Sequence, residues 1–233
     1  MNRFDLEIML FFNSFANQSK AFDEMVCTFA SNPLVKGGFV IPILWWLWFR
    51  NRGEYRDKEY VLATLIACFI AIFVARTLSM VLPFRPRPVH NPAIHFVLPY
   101  SADPTVLSGW SAFPSDHAAL FFVLATGILL LSRWLGICAY VHSFIFICLP
   151  RIYLGLHQPT DIVAGAALGI LLGMLIRFDR VRWIMTHRAL RVEEDCPGFF
   201  YVCFFFVSYQ VVLLFDPIRH LARGLVSCVK HLT

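Results

Sequence analysis

Apolar residues in this chain run in long blocks and do not alternate with polar ones. Six blocks are long enough to be candidate membrane-spanning helices: residues 32–49, 60–84, 115–134, 135–156, 160–177 and 199–215. A helix that crosses a bilayer needs about 20 mostly apolar residues, or as few as about 17. The first and last blocks are short, and the first carries Lys36 and Pro42. Residues 4–29 mix Leu6, Ile8, Met9 and Phe12 with Asn13, Asn17, Lys20, Asp23 and Glu24. That segment is too polar to span and predicts an amphipathic helix lying in the membrane interface. After Pro217, the residues Arg219, Arg223 and Lys230 punctuate an apolar tail that reads the same way. The pattern predicts an all-α integral membrane protein with about six transmembrane helices and an amphipathic N-terminal interfacial helix. It reads as a single membrane-embedded domain: an interfacial helix over 1–30, a transmembrane core over 31–217 and an interfacial tail over 218–233.

Composition points the same way. The chain is 58% hydrophobic and 15% charged, where soluble domains average about 45–50% and about 25%. Its net charge of +5 does not suggest nucleic acid, because the basic residues sit between apolar blocks and form no stripe beside exposed aromatics. They set orientation instead. The loop 50–59 holds Arg50, Arg52, Arg56 and Lys58, the next connection on that side holds Arg133, and 177–195 holds Arg177, Arg180, Arg182, Arg188 and Arg191. These three alternate onto one side, which the positive-inside rule makes cytoplasmic. The connections 85–114 and 151–159 then face outward, as do both termini. Trp45, Trp46 and Trp48 read as an interfacial aromatic belt. Gly165, Gly169 and Gly173 form a small-residue stripe suited to close helix packing. The seven cysteines are odd in number and lack a Cys-x-x-Cys pair, so neither a disulfide framework nor a zinc site is expected. Asp5 and Glu7 interrupt the start, so no cleaved signal peptide is expected and the chain reads as used whole.

Three polar clusters then fall on the outward side. Arg76, Arg85 and Arg87 lie at the end of the second apolar block, Ser115, Asp116 and His117 at the start of the third, and Arg151, His157 and Asp161 around the turn into the fifth. The loop between the first two carries Pro86, Pro88, Pro92, Pro99, Pro104 and Pro114, with Phe96, Tyr100, Trp110 and Phe113 to pack on. Proline excludes a regular helix there, and an ordered lid at the membrane surface is expected. Guanidinium groups bind phosphate oxygens through a two-pronged fork. Two helix N-termini, one capped by Ser115 and one led by Pro159, add free N–H groups. A charge such as Arg76 inside a membrane segment marks function. His157 and Asp161 are one helical turn apart, so the carboxylate can fix the imidazole tautomer and free the other nitrogen to attack. His117 can protonate the departing oxygen. His90, His95, His142 and His187 read as structural.

These residues resemble the motifs of the type 2 phosphatidic acid phosphatase superfamily. The family's third motif is Ser-Arg, five residues, His, three residues, Asp, matched by Pro150-Arg151, His157 and Asp161. Its second, Pro-Ser-Gly-His, appears as Pro114-Ser115-Asp116-His117. Its first, Lys, six residues, Arg-Pro, ends here on Arg87-Pro88 but has Met80 at the Lys position. The resemblance implies that His157 is a phosphorylated nucleophile, Asp161 its orienter and His117 the acid. It implies that Arg87, Arg151 and Ser115 hold the phosphoryl oxygens, and that no metal or other cofactor takes part. Arg76 or Arg85 would replace the missing Lys, with Asp116 beside them. Phe-Pro-Ser-Asp-His and Arg-Pro-Arg-Pro look like the bacterial undecaprenyl-diphosphatase branch, which acts at the outer face of the plasma membrane. A membrane lipid phosphate is then the expected substrate: a polyprenyl diphosphate first, with phosphatidic acid, phosphatidylglycerol phosphate or lipid A phosphates as alternatives. A lipid phosphotransferase of the same fold is a further alternative, and a catalytically silent lipid-binding or transport protein that retains the fold is the alternative outside the enzymes.

Overall fold

The computed structural model describes residues 2–50 and 55–214. Among them the chain is helical with no strand. In chain order the helices are α1 (Arg3–Asn13), α2 (Lys20–Ser31), α3 (Pro33–Lys36), α4 (Val40–Phe49), α5 (Tyr55–Val81), α6 (Asp116–Leu131), α7 (Arg133–His142), α8 (Leu149–Tyr153), α9 (Pro159–Leu175), α10 (Asp179–Asp195) and α11 (Pro197–Val212). A π-helical turn, Ser143–Cys148, joins α7 to α8, so Arg133–Tyr153 runs as one apolar rod. Among the described residues, Tyr55–Val81 and Arg133–Tyr153 are long and apolar enough to cross a membrane, and α9 with α10 makes a third if that bent pair counts as one span. Helices α4, α6 and α11 are apolar but shorter. The expected tail over 218–233 lies outside the described residues.

Helix α6 is the axis of the fold. Its residues from Ala118 to Ile128 are buried with few exceptions, and it packs most extensively on α9, then on α5 and α7. The glycine stripe of α9 makes this possible. A Cβ at Gly165 would stand 2.3 Å from the Ser115 carbonyl oxygen, and one at Gly169 would stand 2.4 Å from that of Ala119. Both contacts are with backbone, so the helices themselves would have to part. Gly165→Ala is therefore expected to destabilise the protein by roughly 1–3 kcal/mol and to lower its activity, because Ser115 leads directly into His117. Thermal unfolding in detergent checks this, with Gly198→Ala, where a Cβ meets nothing within 4 Å, as the neutral control.

Three segments differ from the sequence expectation. Residues 4–29 form two helices, broken at 14–19, and their polar side faces the protein. Asp5, Asn13 and Asp23 are buried while Phe4, Phe11, Phe15 and Phe22 are exposed. Asn13 accepts from the Val97 N–H and donates to its carbonyl (2.9 and 2.7 Å), and Asp23 accepts from the Tyr100 N–H at 2.8 Å and from the Tyr153 hydroxyl. The first two helices thus clamp the proline-rich loop. Second, the arginine-rich segment read as a loop over 177–195 is mostly helix α10, bent 80° from α9. It packs on α5 through Arg182, which bonds Glu59 at 3.2 Å and Asp179 at 2.6 Å, and through the Lys58–Glu193 pair. Third, the tryptophans are not a uniform belt. Trp48 is fully buried, its ring 4.7 Å from that of Phe204 on α11, and Trp45 donates to Ser208 at 3.2 Å; of the three, Trp46 is the exposed one. Facing aromatics on α11 supply the partners that a surface belt would lack.

The basic segments gather at one end of the bundle. Arg50 bonds Asp57 and the Leu131 carbonyl, beside Arg133, and α10 lies against the start of α5. Helix α5 carries the chain from there to the opposite end, where Arg76, Asp116 and His117 sit, and α6 carries it back.

Candidate active site

At that opposite end a cavity of about 910 Å³ opens between α2, α3, α5, α6, the proline-rich loop and the α8–α9 turn. Six residues singled out from the sequence line it: Arg76, Arg87, Asp116, His117, Arg151 and His157. They come from segments up to 81 residues apart, Arg76 and His157 being the extremes.

His157 is 3% exposed and sits in the turn before α9. Its Nδ1 donates to the Ala112 carbonyl oxygen at 2.9 Å, which fixes the tautomer. The Asp161 carboxylate stands 3.8 Å from the same nitrogen, beyond direct hydrogen bonding. Nε2 is left with its lone pair, 3.4 Å from an Arg87 nitrogen. Burial pushes the His157 pKa below its ordinary value of 6.5, with Asp161 and Asp116 pulling the other way. The ring is therefore held neutral at neutral pH.

Asp161 has another occupation. Its Oδ2 accepts from the Gln158 N–H at 2.7 Å in a capping box, and its Oδ1 accepts from Arg85 at 2.7 Å. Arg85 also donates to Asp5 (2.8 Å), to Thr160 (2.9 Å) and to Gln158. It is thus placed behind the cavity, knotting α1 and the loop to the start of α9, and it does not line the space where substrate would sit. Ser115 is likewise outside the lining. It is fully buried, and its Oγ caps α6 by accepting from the Ala118 N–H at 3.4 Å. Asp116 faces the cavity. Its Oδ1 accepts from both the backbone N–H and Nδ1 of His117 at 2.8 Å, and its Oδ2 pairs with Arg76 at 3.4 Å. The ring of His117 is thereby oriented with Nε2 as its remaining nitrogen.

The guanidiniums are under-satisfied. Arg87 donates to the Leu156 and Ser111 carbonyls and Arg151 to that of Ile147 (3.2 Å), yet among the described residues the buried Nε atoms of Arg76 and Arg87 have no partner. Buried cations with spare donors are costly unless an anion completes them. Met80, at the motif's Lys position, is 73% exposed and lies outside this cavity. Two residues that the sequence reasoning missed matter here: the Ala112 carbonyl, which as a backbone group has no side-chain signature, and Lys36, which also lines the cavity.

The cavity is flanked by two oriented imidazoles, and residues 79–184 match the family model of the PAP2 superfamily. It is 31% identical over 136 residues to YbjG of Escherichia coli, whose name proposes undecaprenyl-diphosphatase activity; the match covers 57% of this chain and 62% of that protein. It is 39% identical over 96 residues to the lipid A 4'-phosphatase of Bacteroides thetaiotaomicron, 38% of each chain. The chain thus spans less than two thirds of the length of either relative. In fold it is similar to the crystal structure of Aquifex aeolicus LpxE, with a TM-score of 0.51 and 24% identity over 74% of this chain and 94% of that one.

Proposed function

We propose that this protein is a multi-pass phosphatase of the bacterial plasma membrane that hydrolyses a polyprenyl diphosphate, undecaprenyl diphosphate in the first instance, to the monophosphate. The carrying observation is that two imidazoles and three guanidiniums from distant segments line one cavity. The six apolar segments would be six passes of a single domain, α3 with α4 making the first and α7 with α8 the fourth. The exposed phenylalanines of α1 and α2 would lie in the interface. Basic segments gathered at the far end would put the cavity on the exterior side.

Nε2 of His157 attacks the terminal phosphorus, and the bond from that phosphorus to the bridging oxygen breaks. His117, held by Asp116 and protonated once the anionic substrate fills the cavity, gives its proton to that oxygen, and the lipid monophosphate leaves. Arg76, Arg87 and Arg151 offset charge on the equatorial oxygens. His117, now neutral, takes a proton from water, which attacks the phosphorus and breaks the phosphorus–nitrogen bond. Inorganic phosphate departs and His157 is regenerated. No step calls for a metal.

Because burial lowers the His157 pKa below 6.5, the acid limb of kcat/KM, which reports free-enzyme groups, is expected below pH 6.5. A limb at or above that value would contradict a buried neutral nucleophile. The substrate test is phosphate release from a lipid panel with chelator present. The highest kcat/KM is expected on polyprenyl diphosphate, with full activity in chelator. The 39% identity to a lipid A 4'-phosphatase favours lipid A phosphate as the second reading, and preference for it would displace the first. Phosphatidic acid, phosphatidylglycerol phosphate and an added phosphate acceptor complete the panel.

A further inference from the structure

Helix α3 brings one more cation to the cavity. Lys36 ends this short helix, whose start is set by Pro33 and by the Asn32 side chain accepting from the Leu34 N–H at 2.8 Å. Its backbone is braced on two sides. The neighbouring Val35 carbonyl accepts from Nε2 of His142 at 2.8 Å, and a Cβ at Gly37 would stand 2.7 Å from the Val212 side chain of α11. The Lys36 residue is 8% exposed and lines the cavity with His117 and Arg151. Among the described residues its ammonium has no hydrogen bond or ion pair. Every other cation of the site has at least one protein acceptor. A lysine residue only 8% exposed, with its ammonium unpartnered among the described residues, is costly, and its cost is offset when an anion fills the cavity.

The company Lys36 keeps says which anion. Arg76, Arg87 and Arg151 line the same cavity with His117 and His157, and three guanidiniums suffice for the oxygens of one phosphoryl group. Lys36 is a fourth cation there, left for a second phosphate. In a diphosphate, the leaving group is itself a phosphate. A lysine is a compact point charge on a flexible stem, suited to an oxygen cluster of variable orientation.

We propose that Lys36 is a substrate-contacting residue that holds the lipid-attached phosphate of a diphosphate while the terminal phosphate is transferred. This rests on reading the cavity as a phosphatase site. Lys36 supplies from α3 a charge that Met80 does not supply from α5, and places it where it selects diphosphates over monophosphates.

The test uses the full chain in detergent and the variants Lys36→Met and Lys36→Arg. Methionine is an unbranched chain one atom shorter and removes an unpaired charge, so Lys36→Met should melt at or above the wild-type temperature. On farnesyl diphosphate, Lys36→Met should lose about 10- to 100-fold in kcat/KM, the loss of one charge-assisted hydrogen bond, and Lys36→Arg should recover most of it. On phosphatidic acid, Lys36→Met should stay within about threefold of wild type. Equal losses on both substrates, or none on either, would overturn the proposal. A second readout needs no turnover: inorganic pyrophosphate should raise the melting temperature of wild type more than that of Lys36→Met, with inorganic phosphate acting equally on both. Should wild type hydrolyse no lipid phosphate, the phosphatase reading fails, and the pyrophosphate shift still decides for or against Lys36 as a diphosphate ligand.

Discussion

Replacing His157 by Asn is expected to lower kcat by roughly a thousandfold or more, the scale on which a lost nucleophile is felt, while leaving the fold intact. The asparagine amide can keep the donor bond to the Ala112 carbonyl that Nδ1 makes at 2.9 Å, so the buried acceptor is not orphaned. What disappears is Nε2, the atom facing Arg87. His117→Asn should cost about a hundred- to ten-thousandfold on a lipid diphosphate, the range for a general acid. On an aryl phosphate, whose leaving group needs no proton, the phosphorylation step should be nearly spared. Undiminished phosphate release by His157→Asn would reject the nucleophile assignment.

The largest expected effect on stability is at Arg85. Its guanidinium is the partner of two fully buried carboxylates, Asp5 at 2.8 Å and Asp161 at 2.7 Å. Arg85→Ala leaves both facing low-dielectric surroundings with fewer donors. Removing one partner from a buried ion pair typically costs about 3–5 kcal/mol. The melting temperature in detergent should fall steeply, and kcat should fall with it, because the knot anchors the start of α9 and hence the turn that carries His157. Arg85→Lys should recover only part, since an ammonium cannot fork between the two acids. A raised KM with unchanged melting would show that Arg85 meets the substrate directly.

Arg85 also shows where reading the sequence stops. From sequence it is one of two candidates to replace the motif lysine, because it lies in the right cluster. Its actual partner, Asp5, is 80 residues away in a segment read as interfacial, and no local spacing signals such a pair. Local spacing does place His117, His157, Arg87 and Arg151, because each lies at a fixed offset from a helix end and all the ends fall on one side. Helix α10 was hidden by its arginines, which look like loop residues until Glu59 and Glu193 appear as partners across α5. Lys36 looked like a blemish in an apolar block, and its meaning comes only from the cavity it enters. The inward turn of Asp5, Asn13 and Asp23 was unreadable for a similar reason. An amphipathic helix has two faces, and the sequence does not say which one meets protein.

The central claim is that phosphate rests covalently on His157 between two half-reactions. Its most direct measurement is rapid quenching of the full-length protein with a lipid diphosphate radiolabelled in its terminal phosphate, followed by mapping of the label. The account predicts an acid-labile, base-stable label on the peptide containing His157, formed at least as fast as turnover and lacking in His157→Asn. Steady-state turnover with no such label, or the same label on the asparagine variant, would contradict it.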